Sequence, residues 1–361
     1  MGKRVVVIGA GIIGACVARE LTLAGAQVTV VEASEPATGA SSRSMGWINA
    51  SFIDREDYYR LRLAAMEAHR ELDRAFDGAL QTRWTGSINW EAAPESMEAL
   101  VADLGRFGHP VKLIGKEEFA RLEPEVADLP EKALLMGNEG HMDAAHAARL
   151  ILAAAQAKGA TVLTGTPVEG LERAAHGGWK VCTPLGLLEA DDVVIAAGIR
   201  TGELCGAAGH ELPMKNEPGV LIQTTPVPFT LNHLIWSPDV HFKQLPDGRL
   251  ICGYLFSGAI TDGGGVDGVA HRMLARLKER LPRVADSLAI ETVKHGVRPM
   301  PVDGYPSIGR LGESADTNLY VSVMHSGVTL GPVVGRLVAR EIMTGARDPL
   351  LAGFSPGRFN G

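Results

Sequence analysis

The first 32 residues carry the feature that most constrains how this chain can fold. The apolar, β-branched run at residues 5–8 is followed at once by three glycines, Gly9, Gly11 and Gly14. Glycines at these positions permit a tight turn, close approach of the backbone to a pyrophosphate, and close packing of a helix on a strand. The N-terminus of that helix favours an anion, because its first N–H groups lack partners within the helix. The segment therefore predicts the phosphate-binding turn of a dinucleotide-binding domain.

The residues after the glycines complete this pattern. A predicted helix at residues 15–23 stops at Gly25, and a second apolar run at residues 28–31 leads to Glu32. A carboxylate roughly 20 residues beyond the glycines accepts hydrogen bonds from the adenosine ribose hydroxyls. Because such a carboxylate also disfavours a 2′-phosphate, Glu32 predicts FAD or NAD as the cofactor and argues against NADP.

Length and composition narrow the class of protein. A chain of 361 residues predicts about two domains. The formal net charge of −7 offers no basic surface for nucleic acid, and the sequence has no apolar run of about 20 residues to cross a bilayer. The four cysteines, Cys16, Cys182, Cys205 and Cys252, lack metal-ligand spacing. We therefore expect a cytoplasmic protein with no metal site, no disulfide framework, no nucleic-acid partner and no integral membrane segment.

The α/β pattern returns in the middle and at the end of the sequence. Asp143 is a predicted N-cap for a helix through Gln156, and predicted strands follow at residues 160–163 and 190–195. Near the end, a strand at residues 318–324 and a glycine turn precede a helix at residues 328–343, which Gly345 ends. A second helix N-terminus directed at the cofactor is the expected use of this unit.

Two segments differ from this pattern. Segment 83–138 contains a short helical piece at residues 94–107, and segment 216–290 is predicted to consist of strands and turns. Within the second segment, residues 246–249 are a predicted hairpin turn, and residues 262–265 are a predicted loop.

Motifs spread over nearly the whole chain resemble those of the D-amino-acid oxidase family of flavoproteins, which includes glycine oxidase, sarcosine oxidase and D-amino-acid dehydrogenases. Besides the glycine motif with Glu32, the motifs are residues 38–42 with Gly46, residues 196–198, residues 296–299 with 303–309, and residues 325–332. The motifs at residues 296–309 and 325–332, occurring in that order, are the most specific to this family. They favour FAD over NAD as the cofactor.

The resemblance implies an α/β fold in which an FAD-binding, Rossmann-like domain is interleaved with a mainly antiparallel-sheet substrate domain. The FAD-binding domain would comprise residues 1–82, 139–215 and 291–361. The substrate-binding domain would comprise residues 83–138 and 216–290.

The resemblance also implies a set of cofactor contacts. Ser41 and Ser42 would hold phosphate and ribityl oxygens, and Val168 would offer backbone bonds to the adenine edge. Noncovalent attachment is implied, because residues 293–300 contain no cysteine and only His295 could form a bond to the flavin there. The predicted FAD-binding residues are Gly9, Gly11, Ile13, Gly14, Glu32, Ala40, Ser41, Ser42, Gly46, Trp47, Val168, Ala197, Gly198, Arg298, Ser326, Gly327, Val328 and Thr329.

Arg298 and His325 are the first two candidates for substrate contact. The guanidinium of Arg298 can grip a carboxylate with two hydrogen bonds and orient the adjacent C–H bond, whereas the alternative is a structural ion pair with Asp303. His325 offers a second carboxylate contact or proton handling near neutral pH, and a backbone-bonded turn histidine is the equally weighted alternative.

A predicted strand of the substrate domain supplies two further candidates. His241 and Lys243 lie two residues apart, so their side chains share one face of the strand. Lys243 is a candidate for oxygen activation. The alternative, which is commoner for a lysine on a strand, is a side chain that faces solvent. Trp47 and Tyr254 are candidates for pocket walls, with core packing as the default interpretation.

The implied reaction is oxidation of the C–N bond of an amino acid or N-substituted amino acid, which requires no strong general base. Two other functions stay open at this point. One is a flavin-binding subunit of a multi-subunit amine or opine dehydrogenase that needs a partner electron acceptor, and the other is an NAD-dependent dehydrogenase. The expected partners are a small amino-acid or amine substrate and either an electron-accepting subunit or further copies of this chain.

Overall fold

A computed structural model describes residues 2–51, 55–175, 177–254, 264–312 and 317–359 of the chain. The strands are, in chain order, β1 (Arg4–Ile8), β2 (Gln27–Val31), β3 (Trp47–Ile48), β4 (Ser87–Asn89), β5 (Lys112–Gly115), β6 (Lys132–Met136), β7 (Gly140–His141), β8 (Thr161–Leu163), β9 (Gly170–Arg173), β10 (Trp179–Thr183), β11 (Gly186–Ala190), β12 (Asp192–Ile195), β13 (Glu217–Pro226), β14 (Leu234–Trp236), β15 (His241–Gln244), β16 (Arg249–Gly253), β17 (Ile290–Arg298), β18 (Ser307–Arg310) and β19 (Leu319–Val323). The α-helices are α1 (Ile12–Leu23), α2 (Glu56–Ala75), α3 (Pro94–Arg106), α4 (Lys116–Leu122), α5 (Ala144–Ala157), α6 (Thr201–Ala207), α7 (Gly265–Arg280) and α8 (Gly327–Thr344).

The first large sheet has six strands in the order β18-β19-β12-β1-β2-β8. All neighbouring strands run parallel except β18, which is antiparallel to β19. The predicted strand–turn–helix–strand unit is confirmed, with α1 beginning at Ile12 because the Ala15 amide already bonds the Gly11 carbonyl. Asp143 caps α5 as predicted, since its Oδ1 accepts hydrogen bonds from the amides of Ala145 and His146.

Helix α8 packs against α1 over this sheet. Small residues bring the two helices together: a Cβ at Gly335 would lie 2.7 Å from the Cys16 carbonyl carbon, and one at Gly331 would lie 3.3 Å from Cys16 Sγ. Gly345 ends α8 with φ +76°, as the sequence predicts. The close packing brings the N-terminus of α8 alongside the glycine turn that follows β1.

The second large sheet has eight strands in the order β17-β13-β16-β15-β14-β4-β6-β5. Its neighbouring strands are antiparallel except for the parallel pair β14 and β4. The predicted hairpin turn is confirmed, because the Leu245 amide bonds the Arg249 carbonyl across the turn that joins β15 to β16. An α/β fold that joins a Rossmann-like sheet to a mainly antiparallel sheet is therefore confirmed.

Helix α7 corrects the prediction of strands and turns alone for segment 216–290. Gly265 begins this helix, so the predicted loop is wrong at that residue, while Asp262 and Gly263 lie outside the described residues. Val269, Met273 and Leu277 are buried at intervals of four residues and form its apolar stripe. The run of three glycines at the start of the helix obscured that periodicity in the sequence.

The division into two domains stays a prediction. Strand β17 does not follow the predicted boundary, because most of it was assigned to the FAD-binding segments yet it pairs with β13 in the eight-stranded sheet. A further antiparallel sheet, β11-β10-β9, precedes β12 and was not predicted.

Candidate active site

A cavity of about 390 Å³ lies at the carboxyl ends of β1, β2, β12 and β19. Ligands bind open α/β sheets at this edge, where the chain order of the strands reverses on either side of β1. The predicted cofactor residues that line the cavity are Gly9, Gly11, Ile13, Glu32, Ala40, Ser41, Val168, Ala197, Gly198, Gly327 and Val328.

The glycine turn has no room for side chains. Gly9 has φ +106°, and a Cβ there would lie 2.5 Å from the Ala196 carbonyl oxygen. A Cβ at Gly14 would lie 1.9 Å from the Gly9 carbonyl oxygen, so α1 approaches the turn at backbone distance. Next to it, the Ile12 amide donates to Ser41 Oγ at 3.0 Å. The turn therefore presents backbone and the start of α1 to the cavity, as a pyrophosphate requires.

Glu32 places its carboxylate at the cavity wall. Its Oε2 accepts a hydrogen bond from the Ala10 amide at 2.8 Å, and its Oε1 accepts one from the Ser34 amide at 3.0 Å. Oε1 also accepts a hydrogen bond from Ser34 Oγ at 3.3 Å, so Oε2 is the oxygen that retains a lone pair for a ribose hydroxyl. Glu32, the glycine turn and the start of α1 together fit the adenosine and pyrophosphate portions of FAD.

The first turn of α8 also lines the cavity, beside the start of α1. Gly327 and Val328 line it, whereas Ser326 and Thr329 are engaged by other parts of the fold. Ser326 Oγ lies 3.0 Å from both Arg62 Nη1 and Tyr58 Oη, and Thr329 Oγ1 donates to the Trp47 carbonyl at 3.0 Å. The positive end of the α8 dipole therefore points at the cavity.

His325 lines the cavity immediately before α8. Although the His325 side chain is exposed at the open cavity, its pKa is lowered to about 4, first by desolvation from the surrounding protein and then by the nearby cations Arg298 and Arg62. The imidazole is therefore neutral at pH 7. At that pH the imidazole can form hydrogen bonds in the cavity, but we do not expect it to exchange protons.

Arg298 ends β17, one residue before Pro299, which lines the cavity. Its Nη1 donates to the Pro218 carbonyl at 2.9 Å, and its guanidinium lies over Gly219, where a Cβ would be 3.4 Å from Cζ. Burial lowers the pKa of Arg298 and Glu217 opposes that shift, so the group stays charged.

The alternative of an ion pair between Arg298 and Asp303 is wrong. Asp303 instead accepts hydrogen bonds from Arg358 at 2.7 and 3.2 Å. Arg358 lies in a short 3-10 helix, Pro356–Phe359, near the end of the chain. Asp303 Oδ1 also accepts from the Tyr305 amide at 3.1 Å, which confirms that Asp303 shapes the turn.

His241 and Lys243 lie on β15 and share one face of the strand, as predicted. His241 is 2% exposed and stacks on Trp236 with ring centroids 3.5 Å apart, and burial lowers its pKa to about 3. The expectation of a solvent-facing lysine is wrong, because Lys243 is fully buried and its Nζ donates to the Met142 carbonyl at 2.7 Å. Burial lowers the pKa of Lys243 to about 7.

Other predicted residues are not among those that line the cavity. Gly14 packs on Gly9, and Ser42 Oγ bonds the carbonyls of Thr38 and Gly39. Trp47 is buried and Gly46 lies against Met142, while Tyr254 follows β16 and is 38% exposed.

The sequence analysis missed three buried polar residues around the site. Arg62 donates to the Asn49 carbonyl at 3.1 Å and to Asn49 Oδ1, besides its bond to Ser326. Glu139 accepts hydrogen bonds from Trp47 Nε1 at 2.8 Å and Ser87 Oγ at 2.6 Å, and burial raises its pKa to about 7. His69 bonds the Val328 carbonyl. Arg62 and His69 lie seven residues apart on α2, a spacing that places both on one helix face and was the available signal.

The described residues also bear on metal binding and on membrane spanning. No group of three or more histidine, cysteine or acidic side chains is placed to hold a metal ion in that part of the chain. No helix there has the combined length and apolar character needed to span a bilayer.

Comparison with known proteins places these features in a wider context. Residues 4–341 match the sequence profile of the family described as DAO, FAD dependent oxidoreductase. The chain is 28% identical over 366 residues to a glycine oxidase of Pseudomonas aeruginosa, with 97% of each chain covered. It is 26% identical over 343 residues to a glycine oxidase of Bacillus licheniformis, covering 94% of this chain and 92% of the relative.

Solved structures share the fold. The crystal structure of glycine oxidase from Geobacillus kaustophilus has a TM-score of 0.87 and 22% sequence identity, with 99% of both chains covered. The L-proline dehydrogenase from P. horikoshii also has a TM-score of 0.87, with 23% identity and coverage of 99% of this chain and 98% of that one.

Proposed function

This chain belongs to the DAO family of FAD-dependent oxidoreductases, and from that premise we propose that it oxidises the C–N bond of an amino acid or N-substituted amino acid. The product is an imine, which water hydrolyses to an oxo acid and an amine. The glycine oxidases of Pseudomonas aeruginosa and Bacillus licheniformis support this substrate class by their similarity along nearly the whole chain.

The observation that carries the proposal is the placement of two residues, His325 in the cavity lining and Arg298 next to the lining residue Pro299. His325 lines the cavity, and Arg298 is near enough for its positive charge to lower the pKa of His325. A fixed guanidinium beside a neutral imidazole is suited to a substrate that carries one carboxylate. Arg62, the second cation that acts on His325, already bonds Asn49 and Ser326.

Each residue has a distinct role in the proposal. Arg298 binds the substrate carboxylate and so orients the carbon that bears the nitrogen. His325 forms a hydrogen bond to the carboxylate or the amine and adds no second charge. The N-terminal dipole of α8, at Gly327 and Val328, stabilises negative charge that develops in the cavity.

FAD, when bound, supplies a two-electron acceptor for the hydride that leaves the substrate carbon. The residues proposed to hold it noncovalently are the glycine turn, Glu32, Ser41 and the first turn of α8.

Anaerobic mixing of the holoprotein with amino acids tests the proposal. We expect bleaching of the oxidised flavin spectrum by one or more members of a panel of D-amino acids, L-amino acids, glycine, N-methyl amino acids and proline derivatives. The matched 2-hydroxy acids and the decarboxylated amines serve as controls, because each lacks either the nitrogen or the carboxylate. Bleaching by hydroxy acids alone, or equally by amines without a carboxylate, would contradict the proposal.

A second step of the same experiment identifies the electron acceptor. Substrate-reduced protein is mixed with oxygenated buffer and, separately, with a soluble quinone under anaerobic conditions. Rapid recovery of the flavin spectrum in oxygen indicates an oxidase. Recovery with the quinone alone indicates a dehydrogenase that passes electrons to a partner.

A further inference from the structure

Residues 43–47, named here the crossing segment, run from a short 3-10 helix, Ala40–Arg43, into β3. The segment passes over one face of the eight-stranded sheet. Arg43 lies against Gly296 of β17, and Met45 lies against Gly253 of β16. A Cβ at Gly296 would lie 2.6 Å from Arg43 Cδ, whereas one at Gly253 would lie at an ordinary contact distance of 3.4 Å from Met45 Sδ.

The same segment continues over the next two strands. Gly46 lies against Lys243 of β15, because a Cβ at Gly46 would be 3.1 Å from Lys243 Nζ. Trp47 then packs on Trp236 of β14, with ring centroids 4.6 Å apart. Successive residues of the crossing segment therefore meet β17, β16, β15 and β14 in the order in which these strands lie in the sheet.

Lys243 is the polar contact in this series. Its Nζ donates to the Met142 carbonyl, and the Met142 amide in turn donates to the Gly46 carbonyl at 2.9 Å. A Cβ at Gly46 would also lie only 2.0 Å from the Met142 oxygen, so the three groups are in direct contact. Gly46 has φ +64°, a conformation that a glycine adopts without strain.

Burying the Lys243 amine is costly, and its pKa of about 7 leaves it only partly charged near neutral pH. Lys243 has no exposed surface, and Asp143 is the acidic group that favours its charged form while Arg83 disfavours it. Burial of a charge without a close counter-ion lowers stability unless hydrogen bonds compensate. A leucine or methionine would fill this strand position at lower cost, which points to a specific use of the donor.

The crossing segment leads directly into the cofactor cavity. Arg43 and Ser44 line that cavity together with Ala40 and Ser41 of the 3-10 helix. A displacement at Gly46 is therefore transmitted through two or three residues of backbone to the cavity wall.

We propose that Lys243 is a positioning residue, which holds the crossing segment on the eight-stranded sheet through Met142 and thereby sets the FAD-binding wall formed by residues 40–44. Oxygen activation by Lys243 stays a separate prediction. The positioning role rests on the FAD dependence of the family and not on the proposed oxidation of amino acids.

The test compares Lys243→Met with Lys243→Gln. The methionine has similar length but no donor, whereas the glutamine amide can still donate an N–H to the Met142 carbonyl. We expect Lys243→Met to bind FAD roughly tenfold or more weakly in a fluorescence-quenching titration of the apoprotein, and Lys243→Gln to recover part of that loss. Lys180→Met, on β10 away from the crossing segment, should bind FAD like the wild type.

Two readouts separate positioning from the other roles. The exciton signal of the Trp47–Trp236 pair in circular dichroism should weaken in Lys243→Met apoprotein, with Trp236→Phe as the reference for its loss. The rate of reaction of photoreduced holoprotein with oxygen should stay unchanged. Wild-type FAD affinity in Lys243→Met, or a slower oxygen reaction with unchanged FAD affinity, would overturn the proposal.

A second variant covers the case in which Lys243→Met does not fold. Gly46→Ala, whose Cβ would lie 2.0 Å from the Met142 carbonyl oxygen, should displace the crossing segment from Met142 and weaken FAD binding in the same titration. Unchanged affinity in this variant would also overturn the proposal. None of these measurements uses an amino-acid substrate, so a failure of the proposed function leaves their outcome interpretable.

Discussion

The imidazole Nε2 of His69 lies 2.7 Å from the carbonyl oxygen of Val328, in the first turn of α8. In a regular helix this oxygen accepts a hydrogen bond from the N–H four residues later, but residue 332 is a proline and has none. A carbonyl oxygen only accepts, so Nε2 carries the proton. His69 therefore supplies from α2 the donor that Pro332 removes, and it stabilises the turn that lines the cavity.

This contact predicts a stability difference between two variants. His69→Ala leaves the Val328 carbonyl buried without its donor and should lower the free energy of unfolding by about 1–3 kcal/mol. His69→Gln can still donate an N–H and should lose less. Denaturant unfolding of both variants measures the difference, and equal losses would show that packing and not the hydrogen bond is responsible.

The pKa of His69 predicts how stability depends on pH. Burial lowers it from the ordinary 6.5 to about 4, so between these values the unfolded chain binds the proton more readily than the folded one. The contribution of His69 is therefore constant above pH 6.5 and lost as the pH falls towards 4, at a slope of up to about 1.4 kcal/mol per pH unit. The difference in unfolding free energy between wild type and His69→Gln should change across this window. A difference that is independent of pH would contradict the assignment.

Removing the carboxylate of Glu32 should weaken FAD binding. Glu32→Ala loses both the ribose contact and the bonds that hold the Ala10 and Ser34 amides, and we expect roughly 10- to 100-fold weaker binding. The protein should purify partly colourless. Glu35→Ala, at an exposed position three residues away, is the control. Equal FAD affinity of Glu32→Ala and wild type would refute the assignment of the glycine turn and Glu32 as a dinucleotide-binding motif.

Adding one methyl group at Gly14 should disrupt the turn. In Gly14→Ala the new Cβ would meet the Gly9 carbonyl oxygen at 1.9 Å, so α1 must move away from β1. We expect lower stability and poor FAD retention, measured by thermal unfolding and flavin absorbance after gel filtration. Gly25→Ala changes a glycine with open space around it and should retain FAD, although its φ of +87° strains an alanine. Normal FAD retention by Gly14→Ala would contradict the close approach of α1.

Replacing Arg298 tests the carboxylate site. Arg298→Leu should keep bound FAD but raise the substrate concentration for half-maximal flavin reduction roughly 10- to 100-fold, because the charged clamp is lost. Arg298→Lys should recover only part, since a single ammonium does not reproduce the planar guanidinium. Rapid mixing under anaerobic conditions measures both variants. Wild-type concentration dependence in Arg298→Leu would assign the residue a structural role.

Local sequence was sufficient where neighbouring residues determine the structure. The glycine turn, the Asp143 cap and the Gly345 helix end each depend on backbone conformation or hydrogen bonds within a few residues, and all three were predicted. The cavity lining from Gly9 to Ser41 follows from the same turn, because strand and helix lengths bring these residues to one sheet edge.

Tertiary structure decided the contacts between residues that are distant in the chain. A lysine on a strand predicts exposure, and only the crossing segment over β15 shows why Lys243 is buried. Asp303 is five residues from Arg298 yet pairs with Arg358, because the direction of β17 and the final helical turn place Arg358 beside it. The hydrogen bond from His69 to the Val328 carbonyl could not be predicted from sequence either. Pro332 reveals that this carbonyl lacks its helical donor, but only the packing of α2 against α8 determines which residue supplies another.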